Sequence, residues 1–69
     1  MNNVRTYTRE QIDNIHHLRI VRDDKIVKVK CYGGYTTRYP SGAITLLKVW
    51  STKGNCMTYV RADQCEIAD

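Results

Sequence analysis

The residues able to do chemistry in this 69-residue chain are few: two histidines, three cysteines, seven acids and eleven Lys or Arg. Cys31, Cys56 and Cys65 form no CxxC pair and have 24 and 8 residues between them. Structural zinc sites usually bring their ligands in close pairs. His16 and His17 are adjacent, so on a helix they diverge by about 100° and do not face one ion. An odd number of cysteines without paired spacing is expected of free thiols in a reducing compartment, with no metal and no disulfide framework. Nucleophile elbows, phosphate loops and dinucleotide fingerprints are absent from the sequence. Ser41 lies in a Pro-Ser-Gly turn and the paired acids Asp23 and Asp24 in another, positions that turn chemistry explains. A Cys–His dyad has no support in the local sequence. The expectation is a non-enzyme without catalytic residues, cofactor or small-molecule substrate.

What remains is charge. The formal net charge of +4 is unevenly spread. Residues 1–24 balance to zero and residues 62–69 carry −3, while residues 25–61 hold Lys25, Lys28, Lys30, Arg38, Lys48, Lys53 and Arg61 with no acid. Tyr32, Tyr35, Tyr39, Trp50 and Tyr59 lie in the same stretch. A field of one sign draws phosphate backbones or acidic protein surfaces and speeds encounter with them. The candidate partner-binding residues are Lys28, Lys30, Tyr32, Tyr35, Arg38, Tyr39, Lys48, Lys53 and Arg61, with the tyrosines as anchors or stacking groups. Lysines alternating with valines on a half-buried strand, and tyrosine's preference for strands, offer a purely structural account of the same pattern.

The elements that must position these side chains are short. Thr8 and Gln11 form a capping box, with Tyr7 and Ile12 as the hydrophobic staple. Ile12, Ile15 and Leu18 continue an apolar stripe, and Glu10 and His16–His17 suit the two ends of the helix dipole. These features predict a helix over about 9–17, too short to stand alone. Alternation then takes over, giving strands at 18–22 and 25–32 around Asp23–Asp24, with Val27, Val29 and Cys31 on one face and Lys28, Lys30 and Tyr32 on the other. Gly33–Gly34 reads as a two-residue turn because both glycines accept positive φ. Strands follow at 35–39, 43–51, 56–61 and about 65–67, with a bulge expected where Leu46–Leu47 break the alternation.

One domain over 1–69 is expected, a helix followed by a meander over about 18–67. The fold class is α+β but mainly β: a short N-terminal helix and a five- to six-stranded antiparallel small β-barrel or strongly bent sheet, closure removing the exposed edges. An open sheet packed on the helix is the alternative. The layout resembles the SH3-like and Sm-like barrels, whose ends are similar to Met57-Thr58-Tyr59-Val60-Arg61-Ala62 followed by Cys65-Glu66-Ile67. The ring-forming RNA-site signature of Sm proteins is missing, so their RNA binding does not transfer.

No apolar run approaches the ~18 residues of a membrane span, and MNNVRTYTRE lacks the apolar core of a signal peptide, so a cytoplasmic protein without membrane contact is expected. In size, charge and lack of other chemistry the chain resembles the small phage proteins that take over a host by binding RNA polymerase or blocking CRISPR effectors. That resemblance implies a regulator or inhibitor docking through its basic, Tyr-rich face on an acidic surface of a host protein or nucleoprotein complex, with at most weak direct contact to nucleic acid. The alternative is a small barrel module that binds RNA or DNA directly. The modest net charge, the neutral first third and the acidic tail favour the protein partner.

Overall fold

The computed structural model describes residues 4–68. Its first element is the expected capping box. The Thr8 hydroxyl accepts from the Gln11 amide at 3.1 Å and the Gln11 side-chain oxygen accepts from the Thr8 amide at 2.8 Å. Helix α1 (Arg9–Asp13) is nevertheless only five residues long. Its staple, Tyr7 and Ile12, is buried, and Ile15 joins the same core. Continuing the helix to 17 would carry Leu18 and Ile20 away from the core, and so short a helix has little stability of its own to oppose that loss. The His16 carbonyl instead accepts from the Cys31 amide at 2.8 Å, and His17 opens the first strand, so the histidines do not meet the helix dipole.

Strands β1 (His17–Arg22) and β2 (Lys25–Lys30) pair antiparallel from His17↔Lys30 to Arg22↔Lys25. Between them Asp23 and Asp24 both take left-handed φ, 52° and 62°, as a tight hairpin loop with the strands' own twist requires. Leu18 and Ile20 point inward, and half-buried Val27 and Val29 pack beside them.

The two glycines that follow are a sheet switch. Gly33 has φ 111°, but Gly34 is not left-handed. Gly34 is required for space: a Cβ there would run into the Leu46 carbonyl oxygen. The Tyr32 amide donates to the Lys48 carbonyl at 2.9 Å and the Lys48 amide to the Gly33 carbonyl at 2.8 Å, which ties the chain to a new sheet. That sheet holds β3 (Gly34–Tyr39), β4 (Gly42–Ser51) and β5 (Cys56–Arg61) in the order β3-β4-β5. Its register runs unbroken through Leu46 and Leu47, so the expected bulge is absent: Leu47 is buried, and Leu46 takes the opposite face. A 3-10 turn (Ala62–Gln64) then leads to β6 (Glu66–Ile67), which pairs with β1.

The expected closed barrel or single bent sheet is therefore corrected to a mainly β chain of two three-stranded antiparallel sheets, β2-β1-β6 and β3-β4-β5. No hydrogen-bond ladder joins β2 to β3, because the glycines pass the chain from one layer to the other. None joins β5 to β6, because the 3-10 turn intervenes and β6 is two residues long. The sheets share one core, with Leu18 and Ile20 facing Leu47 and Val49 and with Tyr7, Ile12, Ile15, Cys31, Ala62 and Cys65 filling its ends. Sheet packs on sheet, so the alternative of one open sheet against the helix fails as well.

Burial by this arrangement sets the cost of truncation. Leu18→Ala, at a position 0% exposed, is expected to cost about 2–5 kcal/mol, whereas Ile26→Ala, at 74% exposure, should stay within about 0.5 kcal/mol. Urea denaturation measures both, and equal costs would contradict the layering.

Candidate binding faces

Residues directly opposite one another on an antiparallel sheet project to the same side. On β3-β4-β5 the side turned away from the core carries Tyr39 beside Gly42, Thr37 beside Ile44, and the row Tyr35–Leu46–Arg61. Lys48 beside Tyr59 and Trp50 beside Met57 continue it. Tyr35, Tyr39, Trp50, Met57 and Tyr59 are all exposed. Tyr35 and Tyr59 meet diagonally across β4, ring centroids 5.2 Å apart and planes at 79°. In this edge-to-face contact each ring fixes the other's orientation.

The charge of this face is modest. Lys48 is half-buried. The Arg61 Nη2 donates to Asp63 Oδ2 at 2.8 Å, and Asp63 Oδ1 is buried without a hydrogen bond, so Arg61 is committed to stabilising that carboxylate.

The free lysines lie on the other sheet. On the outward side of β2-β1-β6, Lys30 stands opposite His17, Lys28 opposite Arg19, and Glu66 flanks Arg19 from β6. The Lys30 ammonium sits 5.1 Å from the centre of the Tyr32 ring, a cation–π contact. Val21 and Ile26 complete this side near the hairpin loop, both exposed.

The nine candidate residues therefore do not form one face. Tyr35, Tyr39, Lys48 and Arg61 share the outward side of β3-β4-β5, while Lys28 and Lys30 belong to the opposite layer and Tyr32 lies at the crossing between the sheets, its amide on Lys48 and its ring beside Lys30. Arg38, paired with Ala43, alternates out of the aromatic face onto the side of Thr36 and Thr45. Lys53 sits in the β4–β5 loop, 3.5 Å from Asp23 in an exposed ion pair of little energetic weight. Trp50, Met57, Tyr59 and Arg5 lie outside those nine, although Arg5 is one of the arginines that the sequence offers to an interface. The first three share a face with Lys48 and Arg61 by simple alternation, which the bulge expected at Leu46–Leu47 obscured.

Arg5 is placed by the backbone. Where β5 ends at Arg61, the Thr45 amide of β4 loses its strand partner and donates instead to the Arg5 carbonyl at 2.8 Å. The buried Thr45 hydroxyl accepts from the Tyr7 amide at 2.9 Å and shares a 2.8 Å hydrogen bond with the Thr36 hydroxyl. The N-terminal segment is thus held along β4 at one end of the aromatic face.

Cys31, Cys56 and Cys65 form no disulfide with one another, and Cys31 and Cys65 are buried while Cys56 is exposed. Among the described residues no three His, Cys, Asp or Glu side chains gather as a metal site, and no helix is long and apolar enough to cross a membrane. Comparison with protein-family models, with curated proteins and with solved structures finds no match for this chain.

Burial, with smaller contributions from neighbouring Cys31 and Asp63, pushes the Cys65 thiol up from 9.0 to about 11. A raised folded-state value keeps the native thiol protonated while the unfolded one ionises. Stability should therefore be insensitive to this group below about pH 9 and fall between about pH 9 and 11. Urea midpoints across that range should show the decline in the native protein and a shallower one in Cys65→Ala.

Proposed function

We propose that this is a non-enzymatic binding protein that docks on another protein through the outward face of β3-β4-β5. The observation that carries the reading is the gathering of Tyr35, Tyr39, Trp50, Met57 and Tyr59 on one sheet face while Lys28 and Lys30 lie on the other sheet, with Tyr32 the one ring beside them. A platform for single-stranded nucleic acid needs stacking rings and phosphate-binding cations along one groove. Here the rings have half-buried Lys48 and the Asp63-bound Arg61 beside them, while Lys28 and Lys30 point the other way. Tyr, Trp, Met and Arg with little free lysine is the composition of a protein–protein interface core. In this reading Lys28, Lys30 and Arg19 act at a distance, steering the protein toward an acidic partner and raising the association rate. An acidic surface of a host nucleic-acid-handling complex, such as RNA polymerase or a CRISPR effector, is the partner that the resemblance to small phage proteins implies.

Trp50 is the single tryptophan and reports directly on this face. A photo-crosslinking residue at Met57 should capture a protein partner from a host lysate, the same residue at Ile26 should not, and Trp50→Ala should abolish the capture. Trp50 fluorescence should stay unchanged when a bare single-stranded oligonucleotide is added at micromolar concentration in about 150 mM salt. Sub-micromolar quenching by the oligonucleotide, with no protein captured from Met57, would establish direct nucleic-acid binding instead.

A further inference from the structure

Ile44 is an anomaly of the aromatic face. It stands on the outward side of β4, opposite Thr37, and is not part of the core between the sheets, yet it is only 1% exposed. It forms the floor of a pocket of about 420 Å³ walled by Arg5, Tyr39, Pro40, Ser41 and Arg61. We propose that this pocket is a socket for one carboxylate side chain, Glu or Asp, of the docked protein, gripped by Arg5 and Arg61. The proposal rests on the protein-docking reading above and specifies the partner's chemistry.

No acid lines the pocket, and two arginines, a serine and a tyrosine do. Arg5 reaches it because its backbone is clamped to Thr45, and its Nη2 lies 4.0 Å from the point where a Cβ on Gly42 would sit. The Arg5 head group therefore lies close against the β3–β4 hairpin. Among the described residues Arg5 has no ion pair, whereas Arg61 spends one of its donor nitrogens on Asp63. The site thus offers one unshared and one shared cation, which matches a single negative charge. Planar guanidinium groups suit a carboxylate, which each can bind through two N–H groups. Ile44, Tyr39 and Pro40 supply apolar walls for the methylene groups behind that charge. A phosphate chain would call for further cations along its path. No lysine lines this pocket, and Lys28 and Lys30 lie on the other sheet.

Nuclear magnetic resonance on the intact protein tests the socket with blocked peptides acetyl-Gly-Glu-Leu-Gly-amide and its Gln counterpart. The Glu peptide should produce saturable shifts of the Arg5 side-chain Nε–H, the Ser41 amide and the Ile44 methyl groups at millimolar concentration. The Gln peptide, or Arg5→Gln with the Glu peptide, should bind about ten-fold more weakly or worse. Arg5→Lys should recover only part of the affinity. Because Arg5→Gln could disturb the N-terminal clamp, the Glu/Gln comparison on the unaltered protein decides the matter independently.

Equal binding of the two peptides would overturn the proposal. So would inorganic phosphate or an oligonucleotide shifting the same signals at lower concentration than the Glu peptide, since either would mark a phosphate site. Capture from Met57 that persists undiminished in Arg5→Gln would remove the socket while leaving docking by the aromatic face intact. Glu-selective binding at the pocket with no capture from Met57 would support the socket and remove the docking reading.

Discussion

The crossing at Gly33–Gly34 governs how this chain presents itself. One glycine supplies a left-handed φ and the other the absence of a Cβ against the Leu46 carbonyl. Together they let a strand that ends at Lys30 in one layer resume at Gly34 in the other. Had the chain reversed there as a hairpin, β2 and β3 would be neighbours in one sheet, and their outward lysines and tyrosines would form one mixed surface. Passing between layers instead sends Lys28 and Lys30 to one side of the molecule and Tyr35 and Tyr39 to the other. The separation of charge from aromatic surface is thus a consequence of backbone geometry at two residues.

Thr45 is the second constraint, because strand β4 loses its partner before β4 itself ends. A buried amide and hydroxyl at this position would each cost on the order of 1–3 kcal/mol if left unpaired. The N-terminal segment satisfies both, through the Arg5 carbonyl and the Tyr7 amide. The same contacts bring Tyr7 into the core and hold Arg5 beside the β3–β4 turn. Satisfying a buried polar group and positioning an arginine at the pocket are therefore one structural event, and the capping box at Thr8 starts α1 directly behind it.

These facts were legible in the sequence to different degrees. Thr8 and Gln11 named the cap, Asp23–Asp24 the hairpin loop, and Val27, Val29 and Cys31 the inward side of their segment, since each signal is local and two residues suffice to read it. The helix end was not legible. Ile15 and Leu18 fit a helical stripe and a strand equally well, and the choice was made by the His16–Cys31 hydrogen bond to a segment fifteen residues away. The two glycines and the Leu46–Leu47 pair were misread for a related reason. Whether a Gly-Gly step turns or crosses, and whether two adjacent leucines bulge or alternate, depends on which strand lies alongside. The acid-free stretch over 25–61 was plain. Its division between two faces was not, because alternation fixes sides within a strand and only the pairing relates one strand's sides to the next.

A domain of this size has little stability to spare, commonly about 5–15 kcal/mol. Fully burying one large apolar side chain contributes about 1.5–3 kcal/mol. Tyr35, Tyr39, Trp50, Met57 and Tyr59 are each more than a third exposed on one sheet face, and that contribution is not realised in the isolated molecule. Chance exposure scatters apolar residues singly, and a contiguous patch demands a different account. Lysine on an outward strand would raise solubility at no cost in strand pairing, and the chain does place lysine there on β2, at alternate positions. On β3, β4 and β5 the equivalent outward positions are given mostly to aromatic, thioether and branched side chains, with Ile44 and two arginines lining a pocket at one end. The outer side of β2-β1-β6 thus limits its exposed apolar residues to Val21 and Ile26 near the hairpin loop, whereas that of β3-β4-β5 holds in reserve the kind of surface that stabilises a complex when a partner covers it.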